Sequence, residues 1–164
     1  MRAKAILLQF ILMMGVWLLL SGRVTFENLA AGAIVALVIT MMTTSRTSML
    51  GEIRLTPRAL GAHLLFFLVF LRELIRSNLD VARRVLSPSL PIHPGIVKVK
   101  TRLRSPLGRF VLANAITLTP GTFTVDIMGD SLFIHWLDMA PEDAEAAARH
   151  IVSRFEKYLE VAYG

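Results

Sequence analysis

"AILLQFILMMGVWLLLSG", Ala5 to Gly22, decides the architecture. The stretch carries no charge, and Gln9 near its start is its one strongly polar side chain. A helix of about that length crosses the hydrocarbon core of a bilayer. Arg2 and Lys4 precede it. A basic start, an apolar centre and the small pair Ser21-Gly22 also fit a secretory signal peptide. A second apolar segment follows at once, however, and favours a helical hairpin.

That second segment is "LAAGAIVALVITMMT", Leu29–Thr43, reached through the short connection "GRVTFEN", Gly22–Asn28. With Phe26 and Thr44 at the two interfaces it is long enough to span. Gly32 and Ala36 form a small-xxx-small pair, which lets another helix approach closely. Small residues are also common in membrane helices generally, so the pair is a weak motif. Arg2 and Lys4 lie before the first segment, and Arg46, Arg54 and Arg58 lie after the second. Between them Arg23 is balanced by Glu27. The positive-inside rule places both ends of the hairpin in the cytoplasm.

The whole composition agrees. Of the 164 residues, 54% are hydrophobic and 18% charged, with a mean hydropathy of +0.59. An ordinary soluble domain carries more polar surface. There is no cysteine, which excludes disulfides, thiolate metal sites and a cysteine nucleophile. The four histidines, His63, His93, His135 and His150, have no ligand-like spacing. No metal and no cofactor are expected. The net charge of +6 invites a nucleic-acid reading, but its location argues otherwise. Residues 1–90 hold ten Lys/Arg and four Asp/Glu, whereas residues 91–164 hold eight of each. The excess flanks the apolar segments, where basic residues mark the cytoplasmic side, so the bilayer rather than nucleic acid is the expected partner.

From Thr56 to Pro91 the pattern changes. Thr56 reads as an N-cap, Pro57 as the first helical residue and Pro88 as a stop. The uninterrupted apolar run, Leu64–Leu71, is short for a span. Beyond it Leu71, Leu74, Ile75, Asn78, Leu79, Ala82 and Leu86 mark one helical face, and Arg72, Glu73, Arg76, Asp80, Arg83 and Arg84 the other. Arg76–Asp80 and Asp80–Arg84 are i,i+4 pairs, and Glu73 reads as surface-paired with Arg72 and Arg76. A basic amphipathic helix lying along the cytoplasmic surface fits this pattern. The rival is a third span over residues 60–79 that buries or snorkels Arg72 and Glu73.

"SPSLPIHP", Ser87–Pro94, is an aperiodic linker. "IVKVKTRLR", Ile96–Arg104, alternates as a half-buried strand: Val97, Val99, Thr101 and Leu103 inward, with Lys98, Lys100, Arg102 and Arg104 outward. That basic stripe is available to anionic lipid or an acidic partner, or is a solvated sheet face. Ser105 and Pro106 open a helix whose expected inner face is Leu107, Phe110, Val111, Ala115 and Leu118. Thr119–Thr122 supplies Pro and Gly at the centre of a type II turn. "TFTVDI" and "SLFIHWLD" then form a hairpin through Gly129-Asp130. Phe123, Val125 and Ile127 are expected on one side of its first strand. Leu132, Ile134 and Trp136 oppose Phe133, His135 and Leu137 on its second. The closing segment from Pro141 has acids in its first turn and an apolar face of Ala144, Ala148, Ile151, Val152, Phe155 and Leu159.

The order β-α-β-β-α, with a crossover and two helices on one sheet face, makes a small split ferredoxin-like α+β domain that lacks the usual last strand. The organisation expected is a two-helix transmembrane hairpin over 1–55, an amphipathic interfacial helix and linker over 56–90, and a cytoplasmic α+β domain over 91–164.

"NAITLTPGTFTVDI", Asn114–Ile127, holds four threonines and one acid. A nucleophilic threonine here needs a base and an oxyanion hole, and Asp126 and His135 are the nearby candidates. Turn hydrogen bonds and a solvated strand are the simpler reading. Extended to "LANAITLTPGTFTVDI" and "LFIHWLD", the stretch closely resembles the signature of the E subunits of the multisubunit Mrp-type (Mnh-type) Na⁺/H⁺ antiporters, with related subunits in membrane-bound hydrogenase complexes. Asn114, Thr117, Thr119, Pro120, Gly121, Thr122, His135 and Trp136 carry the match, and the resemblance covers nearly the whole chain. It implies a small subunit of a large bacterial-type inner-membrane complex, with other integral-membrane subunits as partners. Carriers of Na⁺ or H⁺ need ionisable groups at membrane depth, and the two apolar segments offer none. The expectation is therefore a structural subunit, not an enzyme, with no ion route of its own. The alternative is a membrane-anchored binding or regulatory protein outside any transporter.

Overall fold

The computed structural model describes residues 2–43, 47–138 and 144–164. Thr44, Arg46 and the acids expected at the start of the last helix, Glu142 and Asp143, lie outside them, as do the side chains of Ser48 and Ala144. The chain divides into two units, Met1–Ile53 and Arg54–Gly164.

In the first unit α1 (Arg2–Ser21) and α2 (Phe26–Thr43) are antiparallel neighbours, followed by a 3₁₀ turn over Thr47–Glu52. Gly22 ends α1 in the left-handed region at φ +60°, where its N–H donates to the Leu18 carbonyl at 3.0 Å. The connection is shorter than the sequence suggests, because Thr25 caps α2 by accepting from the Asn28 N–H at 3.3 Å. Asn28 also locks the turn. Its amide donates to the Ser21 hydroxyl at 2.9 Å and to the Arg23 carbonyl at 2.6 Å, and the Trp17 indole donates to the Asn28 carbonyl at 3.0 Å. Among the described residues two helices, Ala3–Ser21 and Phe26–Thr43, are long and apolar enough to cross a bilayer. Their outer surfaces are apolar and bare: Leu19, Leu20, Phe26 and Met42 are each at least 80% exposed.

In the second unit α3 (Pro57–Leu86) starts on the expected cap, with the Thr56 hydroxyl accepting from the Ala59 N–H at 3.2 Å. Then follow β1 (Gly95–Lys100), α4 (Pro106–Leu118), β2 (Thr122–Met128), β3 (Ser131–Trp136) and α5 (Ala144–Tyr163). The sheet order is β1-β3-β2, with β3 antiparallel to both neighbours. The first two strands are therefore parallel to each other with the third between them. Val97, Val99, Leu132 and Ile134 pack with Leu112 and Ile116 of α4 and with Val152, Phe155 and Leu159 of α5 in one core. Val97, Val99, Thr101 and Leu103 are buried, and Lys98, Lys100, Arg102 and Arg104 exposed, as the alternation requires. The regular strand stops at Lys100, earlier than Arg104. Beyond it the chain is held by the buried Glu156, which accepts from the Thr101 hydroxyl at 2.6 Å, the Arg102 N–H at 2.5 Å and the Arg102 guanidinium at 3.1 Å.

Two expected faces differ. On α4 the buried residues are Gly108, Leu112, Ala113, Ala115 and Ile116, while Phe110 and Leu118 are each 60% exposed. The helix turns its small residues inward because α5 approaches closely; a Cβ on Gly108 would lie 3.3 Å from Tyr163 Cβ. On β2 a bulge falls between Thr124 and Asp126, which reverses the alternation. Phe123 and Val125 are exposed, and Thr124 and Ile127 turn inward. The cause is α4, since the Thr124 N–H donates to the Thr117 hydroxyl and the Thr124 hydroxyl to the Ala113 carbonyl, both at 3.1 Å.

On α3 the face that meets the core is Phe66, Val69 and Phe70, with Phe66 edge-on to Phe155 at 5.8 Å. Leu71, Ile75, Leu79 and Leu86 are exposed. Glu73 does not pair at the surface. Its side chain is 12% exposed and accepts from Arg154 of α5 at 2.7 Å, with Arg72 at 3.8 Å. Of the two expected i,i+4 pairs, Asp80–Arg84 forms at 2.8 Å, and its partner cation also reaches Asp138.

Asp138 closes the linker. It accepts from Arg84 and, at 2.9 Å, from His93, while Arg84 donates to the Pro91 carbonyl at 3.0 Å. The His93 hydrogen bond, with Arg84, holds the Asp138 carboxyl below its ordinary value of 3.8. A carboxylate depressed in the folded state stabilises at pH above about 3.8 and loses that contribution as pH falls through the folded value. Hydrogen exchange over residues 84–93 should therefore rise as pH drops below that point, after correction for intrinsic exchange. In Asp138→Asn it should be fast throughout and lose this pH step.

Candidate functional site

The eight signature residues do not form one cluster. Asn114 is on the exposed side of α4, its amide donating to the Phe110 carbonyl at 2.8 Å. Thr117 receives the Thr124 N–H and so fastens α4 to β2. Thr119 is the C-cap of α4, with its N–H on the Ile116 carbonyl at 3.1 Å and its hydroxyl on Ala115 at 2.8 Å. Thr122 donates its hydroxyl to the Ile116 carbonyl at 2.6 Å and to Thr119 at 2.9 Å. Its N–H closes the turn on the Thr119 carbonyl at 3.2 Å. Pro120 and Gly121 occupy the central positions, Gly121 at φ +89° as a type II turn demands. The Gly121 carbonyl accepts from the Leu137 N–H at 2.8 Å, which ties the turn to the end of β3.

The hydroxyls of this turn are thus committed to helix-end carbonyls that would otherwise lack partners. Asp126 accepts from the Ile127 N–H at 2.7 Å. His135 sits on the sheet between Ile96 and Phe123 in register. Among the described residues no hydrogen bond joins Thr117, Thr119 or Thr122 to either of them. What the arrangement does chemically is fix one geometry: helix end, turn and strand start are pinned to one another.

Thr119, Pro120, Thr122 and Trp136 do share one environment. They line a cavity of about 440 Å³ with Glu73, Arg76, Ser77, Asp80 and Arg83 of α3 and His150, Ile151, Arg154 and Phe155 of α5. Arg154 bridges it, one nitrogen on Glu73 and another 2.7 Å from His150 Nε2. Pattern reading does not find this cavity. The signal for it is the spacing of Phe66, Phe70, Glu73 and Ser77, a helical stripe that begins apolar and turns polar. Groups of three or more metal-ligating side chains are absent among the described residues.

Gly32 and Ala36 are buried within the hairpin, in one row with Thr40. A Cβ on Gly32 would collide with the Trp17 indole. The nearest packing of Gly32 is thus to α1 of the same chain.

The profile of the Na⁺/H⁺ ion antiporter subunit family (MNHE) matches residues 10–162. The E subunit of the Na(+)/H(+) antiporter of Bacillus subtilis is 44% identical over 94 residues, which span 56% of this chain and 58% of that protein. The E1 subunit of the Na(+)/H(+) antiporter of Staphylococcus haemolyticus is 33% identical over 166 residues, 94% of each chain. Among solved structures, a chain of the membrane-bound sulfane sulfur reductase, an archaeal respiratory membrane complex, superposes with a TM-score of 0.82. It is 39% identical and the match covers 96% of this chain and 98% of that one.

The turn geometry ranks its residues. Space exists for a side chain on Gly121, whose Cβ would meet Val81 at an ordinary 3.5 Å, but the backbone there is left-handed. Gly121→Ala should lower stability by about 1–2 kcal/mol. Thr117→Ala, which removes one acceptor at a half-buried site, should cost about 0.5–1.5 kcal/mol. Denaturation of the full-length chain in detergent measures both, and the reverse order would contradict the assignment of the turn as the main constraint.

Proposed function

This chain belongs to the Na⁺/H⁺ antiporter E-subunit family, and on that premise we propose that it is an accessory, structural subunit of a multisubunit monovalent cation (Na⁺)/proton antiporter. In this reading it spans the inner membrane with the hairpin of residues 1–55, lays residues 56–90 along the cytoplasmic surface, and presents residues 91–164 as a cytoplasmic docking domain. That domain is a ferredoxin-like sandwich short of its last strand, which the order β1-β3-β2 supports. The chain is a transporter component and not an enzyme. Its ion route runs through larger membrane subunits.

The observation that carries the proposal is the electrical blankness of the hairpin. From Ala5 to Gly22 and from Leu29 to Thr43 there is no ionisable side chain. Its buried polar groups, Gln9 and Thr40, are neutral, so they exchange no proton and offer a cation no countercharge at membrane depth. The signature threonines act as packing elements: the Thr119 and Thr122 hydroxyls are bound to backbone carbonyls and Thr117 receives a backbone N–H. Gly32 and Ala36 serve helix packing, which their burial supports.

A second reading shares every physical element and differs in the complex. The TM-score of 0.82 to a chain of an archaeal respiratory membrane complex favours a fold that serves in more than one kind of membrane complex. The antiporter stays first because the matched profile and the full-length relative carry that description.

Mild solubilisation of the tagged chain from its host should recover larger integral-membrane subunits, and its deletion should lower sodium tolerance. The purified chain alone in liposomes should show no sodium–proton exchange. Exchange by the single chain would overturn the proposal, and recovery of subunits of a sulfane sulfur reductase instead would select the second reading. For topology, cysteines introduced by Ser48→Cys and Ser153→Cys should be protected from an impermeant reagent in intact cells and labelled in opened membranes. Labelling of Ser153→Cys from outside would place a third span at residues 60–79.

A further inference from the structure

Two hollows meet on α3 and share a pair of arginines. One is the 440 Å³ cavity between α3, the Thr119-Pro120 turn, Trp136 and α5. The other is a shallow strip along α3 formed by Leu68, Leu71, Ile75 and Leu79. Arg76 and Arg83 line both. We propose that this pair of hollows binds an anionic phospholipid: the phosphate headgroup enters the cavity mouth between Arg76 and Arg83, and an acyl chain lies along Leu68, Leu71, Ile75 and Leu79.

The charges select an anion. Both acids that line the cavity already have cationic partners, Glu73 in Arg154 at 2.7 Å and Asp80 in Arg84 at 2.8 Å. Among the described residues Arg76 and Arg83 have no acidic partner. They stand seven residues apart on one helix, two turns or about 10 Å along the axis, on a common face. His150 Nε2 is taken up by Arg154 at 2.7 Å, which leaves the mouth to the two arginines. A phosphate offers oxygens to more than one guanidinium at once.

The strip selects a lipid over a free anion. Leu68, Leu71, Ile75 and Leu79 are 40–55% exposed, form one row, and adjoin the arginines. A soluble phosphate would use the cavity and leave this row in water. A lipid uses both parts, with its apolar and charged ends in the sequence that a bilayer interface imposes. An acidic amphipathic helix from another protein would also match the charge. The lipid is favoured because only thirteen residues separate the end of α2 from the start of α3, in a chain whose own apolar hairpin needs a bilayer. The inference rests on the reading of α3 as an interfacial helix.

The test uses the full-length chain, delipidated in mild detergent and measured by native mass spectrometry. Phosphatidylglycerol should be retained at least tenfold better than phosphatidylcholine. Arg76→Gln with Arg83→Gln should abolish that preference, whereas Lys98→Gln with Arg104→Gln, on the sheet, should leave it intact. Ile75→Ser with Leu79→Ser should weaken phosphatidylglycerol retention and spare any binding of inorganic phosphate. Equal retention of the two lipids, or full displacement of phosphatidylglycerol by millimolar inorganic phosphate, overturns the lipid site. A Leu79→Cys spin label or fluorophore, quenched from the acyl region of vesicles, reports the interfacial helix separately. Quenching without lipid preference sinks the site and spares the helix. Absence of quenching removes the premise and the site with it. None of these arms depends on recovery of antiporter subunits.

Discussion

Hydrocarbon leaves a chain no water with which to satisfy a polar group, and everything in this protein follows from where that constraint begins and ends. Inside it the only workable solution for this chain is helix, with backbone bonds closed within each segment. The hairpin obeys: apolar surface outward, small residues and neutral polar side chains between the helices, and a turn whose polar groups are satisfied by Asn28, Trp17 and Thr25. The side chains with charge begin where the apolar segments stop.

α3 has two characters. One side, Phe66, Phe70 and Glu73, belongs to the core of the second unit, and there even a carboxylate is tolerated because Arg154 meets it. A nearly buried carboxylate without such a partner would be costly. The other side remains apolar and bare, from Leu60 through Leu64, Leu68, Leu71, Ile75 and Leu79. A helix with a filled face and an uncovered apolar face is not at rest in water. Its arginines lie along the border between the two, where long cationic side chains can keep an apolar stem on one side and a wet head on the other.

Local chemistry is readable in the sequence wherever a residue acts on its own neighbours. Thr56-Pro57 and Ser105-Pro106 announce helix starts because capping and the fixed proline φ are local facts. Thr119 to Thr122 announces a turn because a glycine at position 121 tolerates the left-handed region. The alternation of Val97 to Arg104 fixes which side of β1 is buried. What the sequence does not disclose is set by partners distant in the chain. The bulge at Val125 exists because Thr124 is drawn to α4 across eleven residues. The inner face of α4 is chosen by close approach to α5 rather than by bulk, so Phe110 and Leu118 stay outside. On α3 the leucine face is legible and stays exposed, but that Phe66, Val69 and Phe70 meet the core is set by α5. The candidate site is the least readable part, because its walls come from α3, the turn, β3 and α5 at once.

The signature stretch shows why a run of threonines is weak ground for chemistry. A reactive hydroxyl needs a base and freedom to lose its proton. The Thr119 and Thr122 hydroxyls instead donate to carbonyls at the end of α4, at 2.6–2.9 Å. Gly121 passes the constraint on to Leu137 and the end of β3. The chain of bonds therefore runs from helix to turn to the sheet's central strand, and Trp136, beside Leu137, lines the cavity that α3 and α5 close. A residue set that positions a cavity wall is under as much physical constraint as one that reacts. Substitution there is felt as shape, in the distance between the turn and the arginines of α3, rather than as lost reactivity.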